Sequence, residues 1–289
     1  MMILVLSAAP AAAQDEVSLK WKLKEGEKFF AKNVTDMNMN MSVLGQTIDI
    51  KMKITTVQRF KVLAQTPNST TIEMTVLAMD MESMGPPIPG LGAVAERMKN
   101  ATLTGVLDQN MAVTKLEGYD KFLDKLADGD AATRKQMKQQ FSETTMSQMF
   151  SEVFSVGTSK SVKVGETWTR GEKMEVAGLD ASVKVKYKLD SVTSGVANIG
   201  MTGDVTFKAG GALPGLPEGV KIDSLDMKAD KYVGKLKFDT QAGKLKENNQ
   251  DSDMAGSMSM SAMGQKISVT MKINMKAKVT IEDKNPIKD

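Results

Sequence analysis

Three short segments carry residue types that chemistry uses, and each falls short of the constellation its chemistry needs. Gly157-Thr-Ser159-Lys-Ser161 approaches a nucleophile elbow but lacks the final glycine, and the chain has no histidine to take a proton from the serine. Asp251-Ser-Asp253-Met-Ala-Gly256 opens like a calcium loop. Ala255 occupies a ligand position, however, and Ala262 stands where a bidentate glutamate is required, so the segment reads as a polar turn. Gly90-Leu-Gly92-Ala-Val-Ala95 matches the glycine spacing of a turn that sets a pyrophosphate on a helix N-terminus. Prolines at 86, 87 and 89 replace the strand that such a turn must follow, so a loop is expected there.

What is missing narrows the function further. With no histidine and no cysteine, a Ser-His-Asp triad, a Cys-His pair, a His-ligated zinc, a thiolate metal site and a disulfide are all impossible. Acid–base work would fall on Asp, Glu, Lys or Tyr, with no recognisable pairing among them. No catalytic residue, cofactor or metal site is expected, and the chain reads as non-enzymatic. Lys and Arg number 38 against 35 Asp and Glu, and the basic residues alternate with apolar ones instead of clustering, which argues against nucleic acid.

The unusual residue is methionine, at 24 copies against 9 Phe, 3 Tyr and 2 Trp. Its flexible thioether fills irregular space and suits a surface that accepts ligands of varied shape. The methionines are therefore ordinary core, the lining of a deformable apolar cavity, or soft ligands for Cu(I) or Ag(I), since Met37, Met39 and Met41 share one strand face.

The elements that must position them are mostly strands. Val17-Leu19-Trp21-Leu23 alternates, as do Met37-Met39-Met41-Val43 and Ile48-Ile50-Met52-Ile54, the last two joined by Gly45-Gln46 into a hairpin. Ile72-Met74-Val76 passes into Leu77-Met79-Met81 with a change of phase, which predicts a β-bulge. A hairpin is expected around Asp108-Gln-Asn110. The period then becomes helical. Leu116, Tyr119, Leu123 and Leu126 form one stripe, and Met137, Phe141, Met149 and Val153 another, with Asp130 as N-cap between two helices. Alternation resumes from Val162, passes a Pro/Gly loop at 210–217, and ends in Met258-Met260, a Gly264-Gln265 turn and a long strand from Ile267 to Ile281.

The N-terminus carries an apolar run, Met2-Ile-Leu-Val-Leu6, and an Ala11-Ala-Ala13 site, so a signal peptide over 1–13 is expected, followed by a periplasmic or extracellular protein. Without cysteine there is no lipid anchor, and no later segment is apolar enough to form a transmembrane span.

Internal echoes point to duplication. Met39-Asn-Met41-Ser-Val-Leu-Gly-Gln46-Thr-Ile48 matches Met258-Ser-Met260-Ser-Ala-Met-Gly-Gln265-Lys-Ile267 at one constant offset, which also relates Met52 to Met271. Looser echoes relate Gly26-Glu-Lys-Phe29 to Gly165-Glu-Thr-Trp168, and Gly105–Asp108 to Gly234–Asp239. A β unit over 14–115, a helical connector over 116–155 and a second β unit over 156–289 follow, together forming one compact body.

The early Leu19-x-Trp21, Val164-Gly-Glu-x-Trp168 and Phe238-Asp-x-x-x-Gly-x-Leu245 together resemble a family of uncharacterised exported bacterial proteins, a domain of unknown function. A looser likeness of architecture is to periplasmic lipoprotein carriers, in which a curved sheet wraps helices around an apolar cavity. The expected fold is mainly β with a helical insert: a large curved antiparallel sheet or half-barrel of two related units, with amphipathic helices on its concave side. The expected role is to bind or carry an apolar small molecule, a lipid or a lipidated partner. A structural or protein-interaction module is the alternative. The expected cavity lining is Met39, Met41, Ile50, Met52, Met258, Met260, Val269 and Met271, closed on one side by Phe141, Met149 and Phe150.

Overall fold

The computed structural model describes residues 16–84, 91–158, 160–176, 179–207, 221–262 and 265–287. The expected signal peptide, the prolines before Gly90, Ser159, the Pro/Gly loop at 210–217 and Gly264 lie outside these residues. The elements in chain order are β1 Val17–Ser18, β2 Lys28–Val43, β3 Gln46–Gln65, β4 Ser69–Met84, α1 Leu91–Met98, β5 Thr102–Asp108 and β6 Val113–Glu117. Then come α2 Tyr119–Ala127, α3 Ala131–Gln140, α4 Glu143–Phe154, β7 Ser161–Val162, β8 Thr167–Val176 and β9 Leu179–Thr193. The last four are β10 Val196–Phe207, β11 Lys221–Asp239, β12 Lys244–Ala262 and β13 Gln265–Glu282.

β1 and β7 pair with each other, and the remaining strands form one curved, unclosed antiparallel sheet of 11 strands in the order β6-β5-β4-β3-β2-β13-β12-β11-β10-β9-β8. Period-2 alternation dictates which face is buried. Phe29 and Phe60 stand opposite each other at the start of the β2–β3 ladder, and the unbroken register carries the same face to Met39 opposite Ile50 and Met37 opposite Met52. β13 continues it with Met271 opposite Met41, and β12 with Met258 opposite Val269. This is the concave face, because Phe150 and Phe154 of α4 pack on Phe60. The change of phase in β4 is a bulge: Val57 faces Ala78 and Gln58 faces Val76, which leaves Leu77 as the extra residue.

Several sequence expectations need correction. Only Val17–Ser18 of the first alternating run is strand; Leu19, Trp21 and Leu23 are buried, and Trp21 packs against Phe29, Phe154 and Phe238. Leu116 lies in strand β6, so the helix of the first stripe, α2, begins at Tyr119. Asp130 caps α3 through the Thr133 amide at 2.6 Å, but the second stripe breaks into two helices because Ser142 caps α4 through the Thr145 amide at 3.1 Å. The stretch after Gly90 is helix and not loop: α1 lies against β4, in a sheet without parallel pairs at that point. Asp251–Gly256 is the middle of β12 and not a turn; Asp251 accepts from Lys231 at 2.6 Å and Asp253 from Asn274 at 2.7 Å.

The looser echoes mark the structural repeat. Gly26, at φ 80°, donates to Val62 O, and Val62 N donates to Glu27 O. Gly165, at φ 88°, donates to Leu189 O, and Leu189 N donates to Glu166 O. Glu27 accepts from Lys24 N at 2.8 Å, and Glu166 from Lys163 N at 2.9 Å. One stacked aromatic pair follows each turn, Phe29 on Phe60 at 5.3 Å and Trp168 on Tyr187 at 5.5 Å. Met74 then faces Phe60 as Met201 faces Tyr187, and Asp108 faces Ser69 as Asp239 faces Val196. So β2–β6 and β8–β12 are two copies of one meander running in the same direction along the sheet, with β13 between them.

The copies differ at one carboxylate. Glu27 also pairs with Lys244 at 2.6 Å, and both groups are largely buried. Burial pulls the Lys244 pKa down, but its hydrogen bonds to Glu27 and Asp283 outweigh that, so the net shift is upward from 10.5. The stabilisation linked to the Lys244 charge is therefore fully present below 10.5 and is lost as pH rises through the raised folded-state value. Glu166→Ala should cost about 1 kcal/mol for one backbone cap, and Glu27→Ala about 2–3 kcal/mol because it also leaves Lys244 short of a partner. Equal losses in urea melts would show that the ion pair contributes nothing.

Candidate functional site

The open side of the sheet is closed by α4. Its buried face is Met146, Phe150, Val153 and Phe154, the i, i+4, i+7, i+8 spacing of a stripe that meets one surface. Phe150 stands edge-on to Phe60 at 5.9 Å, and a Cβ at Gly105 would lie 2.8 Å from its ring, so only glycine fits beneath it. Phe154 stands edge-on to Phe60 at 5.7 Å and meets Trp21 at 4.8 Å.

Arg170 ties the two sheet edges together. From β8 its guanidinium reaches over to the β5–β6 turn, donating to Asn110 O at 3.3 Å and Met111 O at 3.3 Å. It also donates to Phe154 O at 3.2 Å and Ser155 O at 3.1 Å, the last carbonyls of α4. A cation at a helix C-terminus is favoured by the dipole as well as by the orphaned carbonyls. Asn33 of β2 adds a second tie, donating to Glu152 Oε2 at 2.6 Å.

Between α4 and the concave face lies a cavity of about 260 Å³. Met37, Met275, Ala277, Val279, Val183, Val185 and Met201 form its apolar wall, and Met149 covers it from the helix. Thr35, Gln148, Glu152, Ser155, Tyr187, Tyr232, Asn248 and Gln250 supply its polar groups. Tyr232 lies across Gly203, where a Cβ would come within 2.4 Å of the ring. Asn248 and Ser155 are each only 6 % exposed. Asn248 Oδ1 and Ser155 Oγ make no hydrogen bond within the described residues.

Of the eleven residues expected to line a cavity, Met149 alone lines this one. The eight strand residues do share the concave face, but their surroundings differ. Met258, Met260, Val269 and Met271 are buried members of the main core, Met39 and Met41 are half-buried against it, and Ile50 and Met52 are half-buried farther along the hairpin. Phe150 is packed solid on Phe60. Phe141 meets α2: it stands edge-on to Phe122 at 6.3 Å, and its carbonyl accepts from Tyr119 Oη at 2.7 Å. The polar cavity residues escaped the sequence reading because Asn248 and Gln250 look like outward positions by type. Their even numbering, in step with Met254, Met258 and Met260, places them inward. No group of His, Cys, Asp and Glu able to hold a metal occurs among the described residues. No helix of the described residues is long and apolar enough to cross a membrane.

Fold and site together define an open antiparallel half-barrel that encloses a small cavity beneath a helix. Residues 61–243 match the family of unknown function DUF6263, and the chain belongs to that family. No curated protein matches it in sequence. Among solved structures it is similar to lipovitellin, in a structure described as showing lipid–protein interactions, at 9 % identity and a TM-score of 0.45. That alignment covers 93 % of this chain and 26 % of the lipovitellin chain, so the present chain spans about a quarter of it. The translocator domain of the autotransporter NalP from Neisseria meningitidis aligns at 7 % identity and a TM-score of 0.22, covering 89 % of each chain. DynF, from the dynemicin biosynthesis pathway of Micromonospora chersina, aligns at 8 % identity and a TM-score of 0.18, covering 95 % of this chain and 91 % of its own. Scores this low do not establish a shared fold.

Proposed function

We propose that this chain is an exported, non-enzymatic binding protein that holds a small, largely apolar molecule between α4 and the concave face of its sheet. The observation that carries this reading is the cavity itself. Beside it, Phe150 and Phe154 of α4 pack solidly on Phe29 and Phe60, whereas here about 260 Å³ lies open behind a flexible methionine. Apolar walls with a few convergent polar groups are the usual makeup of a small-molecule site. Met37, Met149, Met201 and Met275 give the wall side chains that adapt to shape.

Two measurements test it. Naphthalene, whose fluorescence reports a dry environment, should be taken up by the wild type. Met149→Trp should weaken that uptake by about tenfold while costing under about 1 kcal/mol, because open space absorbs the bulk. Met271→Trp, in the packed core, should instead cost about 1–3 kcal/mol. Native mass spectrometry of the protein from its own envelope should show a chain that begins at Gln14 and retains a small organic mass. Retained copper would instead select thioether capture, the reading that the rung Met52, Met37, Met275 across β3, β2 and β13 favours. A wild-type protein that takes up no probe and retains nothing would sink the binding reading and leave a structural module.

A further inference from the structure

The repeat gives the cavity a counterpart, and the counterpart shows what kind of group suits it. In the first meander Phe29 stacks on Phe60, and Met74 stands beside Phe60 on the next strand. Helix α4 sets two rings on this seat, since Phe150 and Phe154 meet Phe60 edge-on at 5.9 Å and 5.7 Å. The same positions in the second meander are Trp168 stacked on Tyr187, with Met201 beside Tyr187. Here Tyr187 and Met201 line the cavity, and α4 brings Met149 to it. The rung that holds them runs on from Met201 through Gly234, Gln250 and Ala277 to Thr35. Its short side chains leave a low floor. Met201 lies over Gly234, where a Cβ would come within 2.6 Å of its methyl group, and Ala277 and Thr35 reach only a little way toward the helix.

Resting on the binding reading above, we propose that the site takes a compound whose apolar part is an aromatic ring, seated on Tyr187 as Phe150 and Phe154 are seated on Phe60. Edge-to-face contact favours a ring there beyond the area it buries. Met37, Met149, Met201 and Met275 add thioether sulfurs, which make favourable contacts with a ring and gain nothing comparable from a saturated chain. A dry apolar cavity of about 150 Å³ takes one benzene. The larger space of about 260 Å³ therefore holds one ring with a short arm, or two fused rings.

The experiment changes only the saturation of the ring. 2-Phenylethanol and 2-cyclohexylethanol are titrated into the full chain, with displacement of naphthalene as the readout. They share one hydroxyl arm, so its contacts cancel in the ratio of their affinities. The saturated ring is the larger and more apolar of the two, and burial alone would favour it. The phenyl compound should nevertheless bind about fivefold tighter, the effect of one good aromatic pair. Tyr187→Leu should bring the ratio to one or below, and Tyr187→Phe should keep it. The ratio is read within each protein, so a general change of the cavity enters both affinities. If Tyr187→Leu does not fold, wild type carrying ¹³C-methyl methionine supplies the comparison: 2-phenylethanol should shift the Met149 and Met201 methyl signals by its ring current, and 2-cyclohexylethanol should not. Equal or inverted affinities, failure of both alcohols to displace naphthalene, methyl signals that respond alike to both, or a folded Tyr187→Leu protein with the wild-type ratio would overturn the aromatic assignment and leave the binding reading standing. Failure of every probe, naphthalene included, would overturn both.

Discussion

Phe154→Ala should destabilise the protein by about 3–5 kcal/mol, the largest effect expected of a single truncation in this fold. The ring is fully buried and meets three other aromatic rings, Trp21 at 4.8 Å, Phe60 at 5.7 Å and Phe29 at 6.2 Å. Those three come from the N-terminal segment, β3 and β2, so one side chain joins α4 to both the sheet and the strap that crosses it. Edge-to-face geometry adds about 0.5–1.5 kcal/mol per good pair beyond the area buried. Urea unfolding followed by tryptophan emission is the natural assay, since Trp21 is one of only two tryptophans and touches the deleted ring. Phe141→Ala is the control: its ring is half-buried at the junction of α3 and α4, and it should cost well under half as much. A Phe154→Ala loss near about 1 kcal/mol would mean that α4 is held by something other than its aromatic face.

Arg170→Met should cost about 2–4 kcal/mol and loosen the end of α4 and the β5–β6 turn together. Methionine keeps the aliphatic stem but removes the donors aimed at four carbonyls. Arg170→Lys should recover less than half of the loss, because an ammonium is a point charge and cannot span acceptors on two separate elements. Amide exchange resolves the mechanism. Protection should fall in α4 and β6 and stay near wild type in β12 and β13, which are paired on both sides. Uniform loss of protection, or none, would show that Arg170 is not what joins the two edges.

Much of this was legible in the residues. Alternation through Met37–Val43 and Ile48–Ile54 gave the right strands and the right inner face, because a one-residue slip would turn every apolar side chain outward. The β4 bulge announced itself by the change of phase at Leu77, and Asp130 by its capping chemistry. The break before α4 was readable too: Ser142 precedes an acidic first turn, yet the apolar stripe running through Phe141 concealed it. The repeat misled for a physical reason. The strict echo relates the β2–β3 hairpin to the β12–β13 hairpin, which lie side by side, and records their shared demand for an apolar inner face. The loose echo, Gly-Glu with an aromatic two residues on, is the one whose hydrogen bonds recur, because a left-handed glycine and a capping carboxylate tolerate little substitution while strands tolerate much. The cavity was hidden because it arises where facing side chains fail to meet, which no single strand records.

The position of β13 has a consequence for assembly. It is the last of the described strands in sequence, yet it sits in the middle of the sheet, with β2 on one side and β12 on the other. Thr280 pairs with Lys32 and Val269 with Val43, contacts that join opposite ends of the sequence. Until Gln265–Glu282 is in place, the two meanders are separate sheets, each presenting a long unpaired edge with a methionine-rich face. Pairings this distant in sequence close slowly, because the loop entropy is lost before the contacts that offset it form. The final strand thus acts as a keystone, and the interval before it docks is when the chain is most open to wrong partners.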